Sequence, residues 1–180
     1  MKTASNVVEI NASDVILPAR GFCHKTKGQA LYVDLGTGRR PLIALLTRIR
    51  RATDPWPTFL GWGEDAPGEA LADKCLGPKK PEDWLDELRA TRKCGPVAIT
   101  TADLPDLVTF ADVNNPKSVM LVDPNNLSAT LGPGVSWRSM TLQATDEPLT
   151  KEIDEHLPWV RDYDSNIEVL GVKSFNPLKD

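Results

Sequence analysis

The chain is poor in the residues that most site chemistry uses: its 180 residues include three cysteines, two histidines and two tyrosines. Long apolar runs are also missing. The longest, Leu42 to Leu46, is far below the roughly 20 residues of a membrane-spanning helix, so no membrane span is predicted. No internal repeat or low-complexity tract stands out, and the low-hydrophobicity, high-charge signature of a disordered chain is absent. The polar opening Met1-Lys2-Thr3-Ala4-Ser5-Asn6 predicts no secretory leader. A cytoplasmic place is expected for the chain as written, and a periplasmic or membrane-anchored one only if a segment preceded Met1. Nucleophile-elbow and zinc-protease motifs are missing, and Gly36-Thr37-Gly38 is too short for a phosphate loop. Asp103, Asp106 and Asp112 lack calcium-loop spacing. No cofactor and no metal is predicted.

What is present is an ordinary globular composition, 41 % hydrophobic and 26 % charged, with net charge −4. A chain of this length buries roughly 70 % of its unfolded surface, so it needs no metal or disulfide to be stable. The charge is unevenly placed. Residues 1–51 carry nine bases and three acids, residues 52–96 six and nine, and residues 97–180 six and thirteen. A basic first part can mark a nucleic-acid face. Here Arg39, Arg40, Arg48, Arg50 and Arg51 come without interleaved aromatics or a reading motif, so nucleic acid is not the predicted partner. The acidic last part suits a basic protein partner instead.

Fifteen prolines and twelve glycines predict short elements and many turns. Strands are predicted at 7–10, 30–35, 42–47, 97–100, 107–110, 119–122, 137–144 and 167–170. Gly36 to Arg39 should turn a hairpin between the second and third of these. Residues 42–47 are apolar on both sides, so that strand should be covered on both faces. The stretch 53–80 holds Pro55, Pro57, Pro67 and Pro78 with Gly61, Gly63, Gly68 and Gly77, and predicts a long ordered loop pinned by Trp56, Phe59 and Trp62. Pro81 to Lys93 is the clearest helix, with early acids, late bases and a Gly95-Pro96 stop. Shorter helices are predicted at 124–131, capped by Asp123 and stopped by Gly132, and from Thr150 to Leu157 with Ile153 and Leu157 inward. The sum is an α+β, sheet-rich single domain over residues 1–180.

The second half also carries a recurrent pattern. It runs Leu107-Val108-Thr109-Phe110-Ala111-Asp112, Asn115-Pro116-Lys117-Ser118-Val119 and Val122-Asp123-Pro124. It continues with Gly132-Pro133-Gly134-Val135, Thr141-Leu142-Gln143, Thr145-Asp146-Glu147-Pro148 and Leu157-Pro158-Trp159. This resembles a family of uncharacterised bacterial proteins, mainly across residues 100–160, with an echo at Asn6–Ile10 and Gly28–Ala30. The resemblance implies no assigned activity and no catalytic residue. It also implies an N-terminal membrane anchor and, with it, an oxidising compartment.

Four groups of residues are candidates for chemistry. Cys23, Cys75 and Cys94 are widely spaced with no Cys-x2-Cys pair, so Cys23-His24 with Cys75 and Cys94 does not read as a zinc site. A Cys75–Cys94 bridge would tie the two ends of the 81–93 helix segment and stabilise by roughly 3 kcal/mol in an oxidising compartment; three reduced thiols are the equal alternative. Glu152, Asp154, Glu155 and His156 share one short helix, and carboxylates there with His156 could serve acid–base chemistry, whereas the commoner meaning of such a cluster is a solvated helix face. Cys23 with His156 is the thiol version of that idea. The predicted function is a non-enzymatic protein-binding module, of inhibitor or immunity type, with Trp56, Trp62, Asp154 and Glu155 as contact residues. The alternative is a small hydrolase using His156 with Glu152, another carboxylate or Cys23.

Overall fold

The computed structural model describes residues 1–15, 21–46, 67–77, 84–101 and 104–162. In chain order the strands are β1 (Glu9–Val15), β2 (Gly21–Lys27), β3 (Leu31–Val33), β4 (Leu42–Ala44), β5 (Val97–Ile99), β6 (Leu107–Phe110), β7 (Val119–Val122) and β8 (Met140–Leu142). The helices are α1 (Pro67–Leu76), α2 (Trp84–Thr91), α3 (Leu127–Leu131) and α4 (Ile153–His156). The content is that of a small sheet-rich α+β domain.

A four-stranded antiparallel sheet of order β3-β4-β6-β7 forms the centre. Leu42 to Leu46 are all buried, because successive side chains of β4 enter two different cores. Ile43 and Leu45, with Val108 and Phe110, pack on one face against Ile153, Leu157 and Val160. Leu42, Ala44 and Leu107 pack on the other against Ile99, Leu127 and Leu131. The strand is covered on both sides, as its unbroken apolar run requires. The β3–β4 turn uses Gly36 and Gly38 at φ 98° and 77°, conformations that a side chain resists. Asp34 Oδ1 accepts the Gly36 N–H at 2.8 Å and holds the turn.

Several residues of the recurrent pattern in the second half make turns. Between β6 and β7, Asp112 Oδ1 accepts the Asn114 N–H at 2.9 Å, and Ser118 Oγ donates to Asp112 O at 2.8 Å. Asn115 Oδ1 caps the 3-10 turn Pro116–Ser118 by accepting the Lys117 N–H. Trp159 packs edge-on to Phe110 and donates its indole N–H to Val113 O at 2.8 Å.

The structure corrects six expectations. Residues 67–76 of the expected loop are α1, whereas 53–66 and 78–80 lie outside the described residues. Pro67 stands at the first helical position, where its missing N–H costs nothing, and Glu69, Ala70, Leu71, Ala72 and Lys74 are helix formers. Gly77, at φ 65°, ends the helix and donates its N–H to Asp73 O at 3.1 Å. The expected strand 7–10 starts only at Glu9, because Val7 bonds with Thr150 instead: its N–H reaches Thr150 Oγ1 at 2.9 Å. Thr150 therefore does not cap α4. Asp123 does not cap α3 either. Asn126 occupies that position, and Asp123 Oδ1 accepts the Asn125 N–H in a local turn. The expected strand 137–144 shortens to β8, paired with β5, and leaves Trp137 free to turn toward the same core as Met140 and Leu142. The expected helix 81–93 is α2, which ends at Thr91 in 3-10 bonds before Gly95-Pro96; residues 81–83 and the strand expected at 167–170 lie outside the described residues.

Candidate functional site

The second face of the central sheet does not close completely. Between it and the β5–β8 pair lies a groove of about 920 Å3. Leu31, Val33 and Leu42 form its sheet wall, and Trp137, Met140 and Leu142 face them. The volume lies within the roughly 300–1,000 Å3 of small-molecule pockets, and the lining is predominantly apolar, as such pockets are. The N-terminal segment, residues 1–6, borders one side. It is held by Asn6, whose Nδ2 donates to Gln29 O, and by the Val7–Thr150 bonds.

Among the described residues, the groove's charged side chains are of one sign: Lys2, Arg39 and Arg138 line it, and no described Asp or Glu does. All three are exposed, so they stand at its mouth. They also share one end. Arg39 Nη2 donates to Pro133 O at 3.2 Å and so joins the β3–β4 turn to the Gly132–Gly134 loop. Arg138, a few residues further on, places Nη1 2.9 Å from Met1 Sδ. Lys2 lies over Gly36: a Cβ built there would be 3.9 Å from its Nζ. Among the described residues no carboxylate is paired with any of the three.

The residues expected to carry chemistry lie elsewhere. Trp56 and Trp62 lie outside the described residues. Glu152, Glu155 and His156 are exposed on or beside α4. Asp154 is engaged by Arg161, whose Nε lies 2.8 Å from Asp154 Oδ2. The His156 ring stacks on Tyr32 at 4.1 Å between centroids, and among the described residues no carboxylate or thiol bonds to it. Cys23 lies in β2 opposite Ser13, and His24 opposite Ala12. Cys75, at the end of α1, and Cys94, ahead of β5, are joined as a disulfide with Cα atoms 6.1 Å apart. Among the described residues no cluster of three His, Cys, Asp or Glu could hold a metal.

The groove is what sequence reasoning misses. Arg39 has a signal only as part of a basic run, and Lys2 and Arg138 have none. Alternation over 137–144 places Trp137 on the opposite face from Met140, so it conceals that both line one wall. The described residues contain no helix long and apolar enough to cross a membrane. No family profile, curated protein or solved structure matches the chain.

Proposed function

We propose that the chain is a non-enzymatic binding module and that its recognition site is the groove, which takes a small ligand with a substantial apolar part. One observation carries this reading: about 920 Å3 of space opens directly onto the second core. Among the described residues that line it there is no His, Cys, Asp, Glu or Tyr. Among the described residues the wall therefore offers apolar contact and neutral or cationic polar groups, with no carboxylate, imidazole or phenol to exchange a proton and no thiol nucleophile. Apolar surface that the fold leaves open is a source of binding energy for any ligand that covers it.

A basic protein partner of the inhibitor or immunity type has less support. Asp154 is already paired with Arg161, and the groove's own charge favours an anion. The His156 hydrolase has less still, because the ring rests on Tyr32 without a carboxylate partner among the described residues.

The test is calorimetric titration of the chain with decanol, paired with the Val135→Trp variant. Val135 is half-buried beside the groove, and a larger side chain there should fill it. Decanol should bind the parent chain and fail to bind the variant, with the thermal unfolding midpoints similar. Equal binding to both would show that the groove is not the site.

A further inference from the structure

We infer that the groove's ligand is a single-chain amphiphile with a carboxylate head, its tail against the apolar walls and its head at the end marked by Lys2, Arg39 and Arg138. The inference rests on the groove being the recognition site. It adds the sign and the place of the ligand's charge.

The chain as a whole is acidic, with net charge −4, so three cations around one apolar opening, with no carboxylate paired to them among the described residues, run against the general balance. The turn that carries Arg39 has one carboxylate, Asp34. Its Oδ1 is turned to the Gly36 N–H rather than to Lys2 or Arg39. Lys2, Arg39 and Arg138 come from three distant parts of the chain. They are brought together by the Arg39–Pro133 bond, the Arg138–Met1 contact and the approach of Lys2 to Gly36. Positive charge beside a low-dielectric wall makes a focused field at the mouth. An anion there gains from all three cations, and a cationic head is repelled by them. The tail supplies affinity by removing apolar area from water, whereas the head supplies orientation and selectivity. A carboxylate also accepts the paired N–H groups of a guanidinium in two parallel bonds, which a hydroxyl head does not.

The experiment compares decanoate, decanol and decyltrimethylammonium on the full chain by calorimetry, at low and high salt. Decanoate should bind about tenfold more tightly than decanol at low salt, a margin within reach of three solvent-exposed ion contacts together. Salt should narrow that margin. The ammonium compound should bind more weakly than decanol. A variant with Lys2→Gln, Arg39→Gln and Arg138→Gln should bind decanoate and decanol alike. Because Arg39 also bonds Pro133 O, Arg138→Gln alone is the second variant. It leaves that bond in place and should lose part of the margin. Equal binding of decanoate and decanol to the parent chain would overturn the inference and leave the groove as a binding site. So would a preference for decanoate that survives the triple substitution. Failure of all three ligands would remove the groove reading itself, and the inference with it.

Discussion

Gln29 Oε1 accepts the backbone N–H of Ile153 at 3.0 Å, across 124 residues of chain. The first turn of a helix leaves N–H groups without partners, and α4 has no capping side chain of its own. Gln29 supplies the acceptor from the segment that leads into β3, and its backbone carbonyl accepts Asn6 Nδ2. One residue thus fixes α4 and the N-terminal segment to the same point. Replacing it by Ala should cost about 1 kcal/mol, the usual worth of a helix cap. Gln29→Met keeps the length and loses the acceptor, so it should cost nearly as much. Urea unfolding followed by circular dichroism measures both. A Met variant as stable as the parent would mean that volume, rather than the hydrogen bond, is what Gln29 contributes.

Thr109 is fully buried in β6 and donates Oγ–H to Pro41 O at 2.6 Å. A buried hydroxyl is tolerable only when it is bonded, and here the bond ties β6 to the residue before β4. Thr109→Val preserves shape but strips the carbonyl of that donor, with an expected loss of about 1–3 kcal/mol. Thr109→Ser keeps the donor and loses one methyl, for about 1 kcal/mol. If Val is the milder of the two in denaturant titration, packing outweighs the hydrogen bond at this position.

The Cys75–Cys94 bridge closes a separation of 19 residues that contains α2. Cross-linking a segment of this size restricts the unfolded chain and should stabilise by about 3 kcal/mol. Denatured, unreduced protein should therefore release one thiol per chain, that of Cys23, because the other two cysteines are joined. Reduction, or the double substitution Cys75→Ser with Cys94→Ser, should lower the unfolding midpoint. Three free thiols in air-oxidised protein would contradict the bridge.

The central sheet was legible because its strands declare themselves locally. Leu107–Phe110 and Val119–Val122 are short apolar, β-branched runs between turn residues, and they form β6 and β7 with those bounds. The β3–β4 hairpin follows from two glycines at its turn. Helix α1 was hidden by its own punctuation: Pro67 and Gly77 count toward a loop by composition, yet by position they are a helix start and a helix end. The cap of α4 was not legible, since neither Thr150 nor Glu152 supplies it and Gln29 is remote in sequence. The groove was not legible for the same reason. Its walls and its three cations are assembled by tertiary contacts between segments that carry no mutual signal. Exposure of Glu152 and Glu155 is what a solvated acidic helix face predicts, whereas the Asp154–Arg161 pair depends on the 3-10 turn Pro158–Asp162 that follows α4.

Tyr32 lies half-buried with its ring stacked on His156, 3° from parallel. Burial, and then the nearby Asp34 carboxylate, raise its phenol above the ordinary value of 10.0. The folded state therefore holds the proton at a pH where the unfolded chain begins to release it. The resulting contribution to stability is whole below pH 10.0 and is lost as pH rises through the raised folded-state value. Titration by phenolate absorbance, with Tyr32→Phe to assign the signal, should show a midpoint above 10.0. Asp34→Asn should bring that midpoint only part of the way back, because burial is the larger cause. Stability of the parent should fall with alkaline pH more steeply than that of Tyr32→Phe. A Tyr32 midpoint at or below 10.0 would show that the ring is not buried against His156 as described.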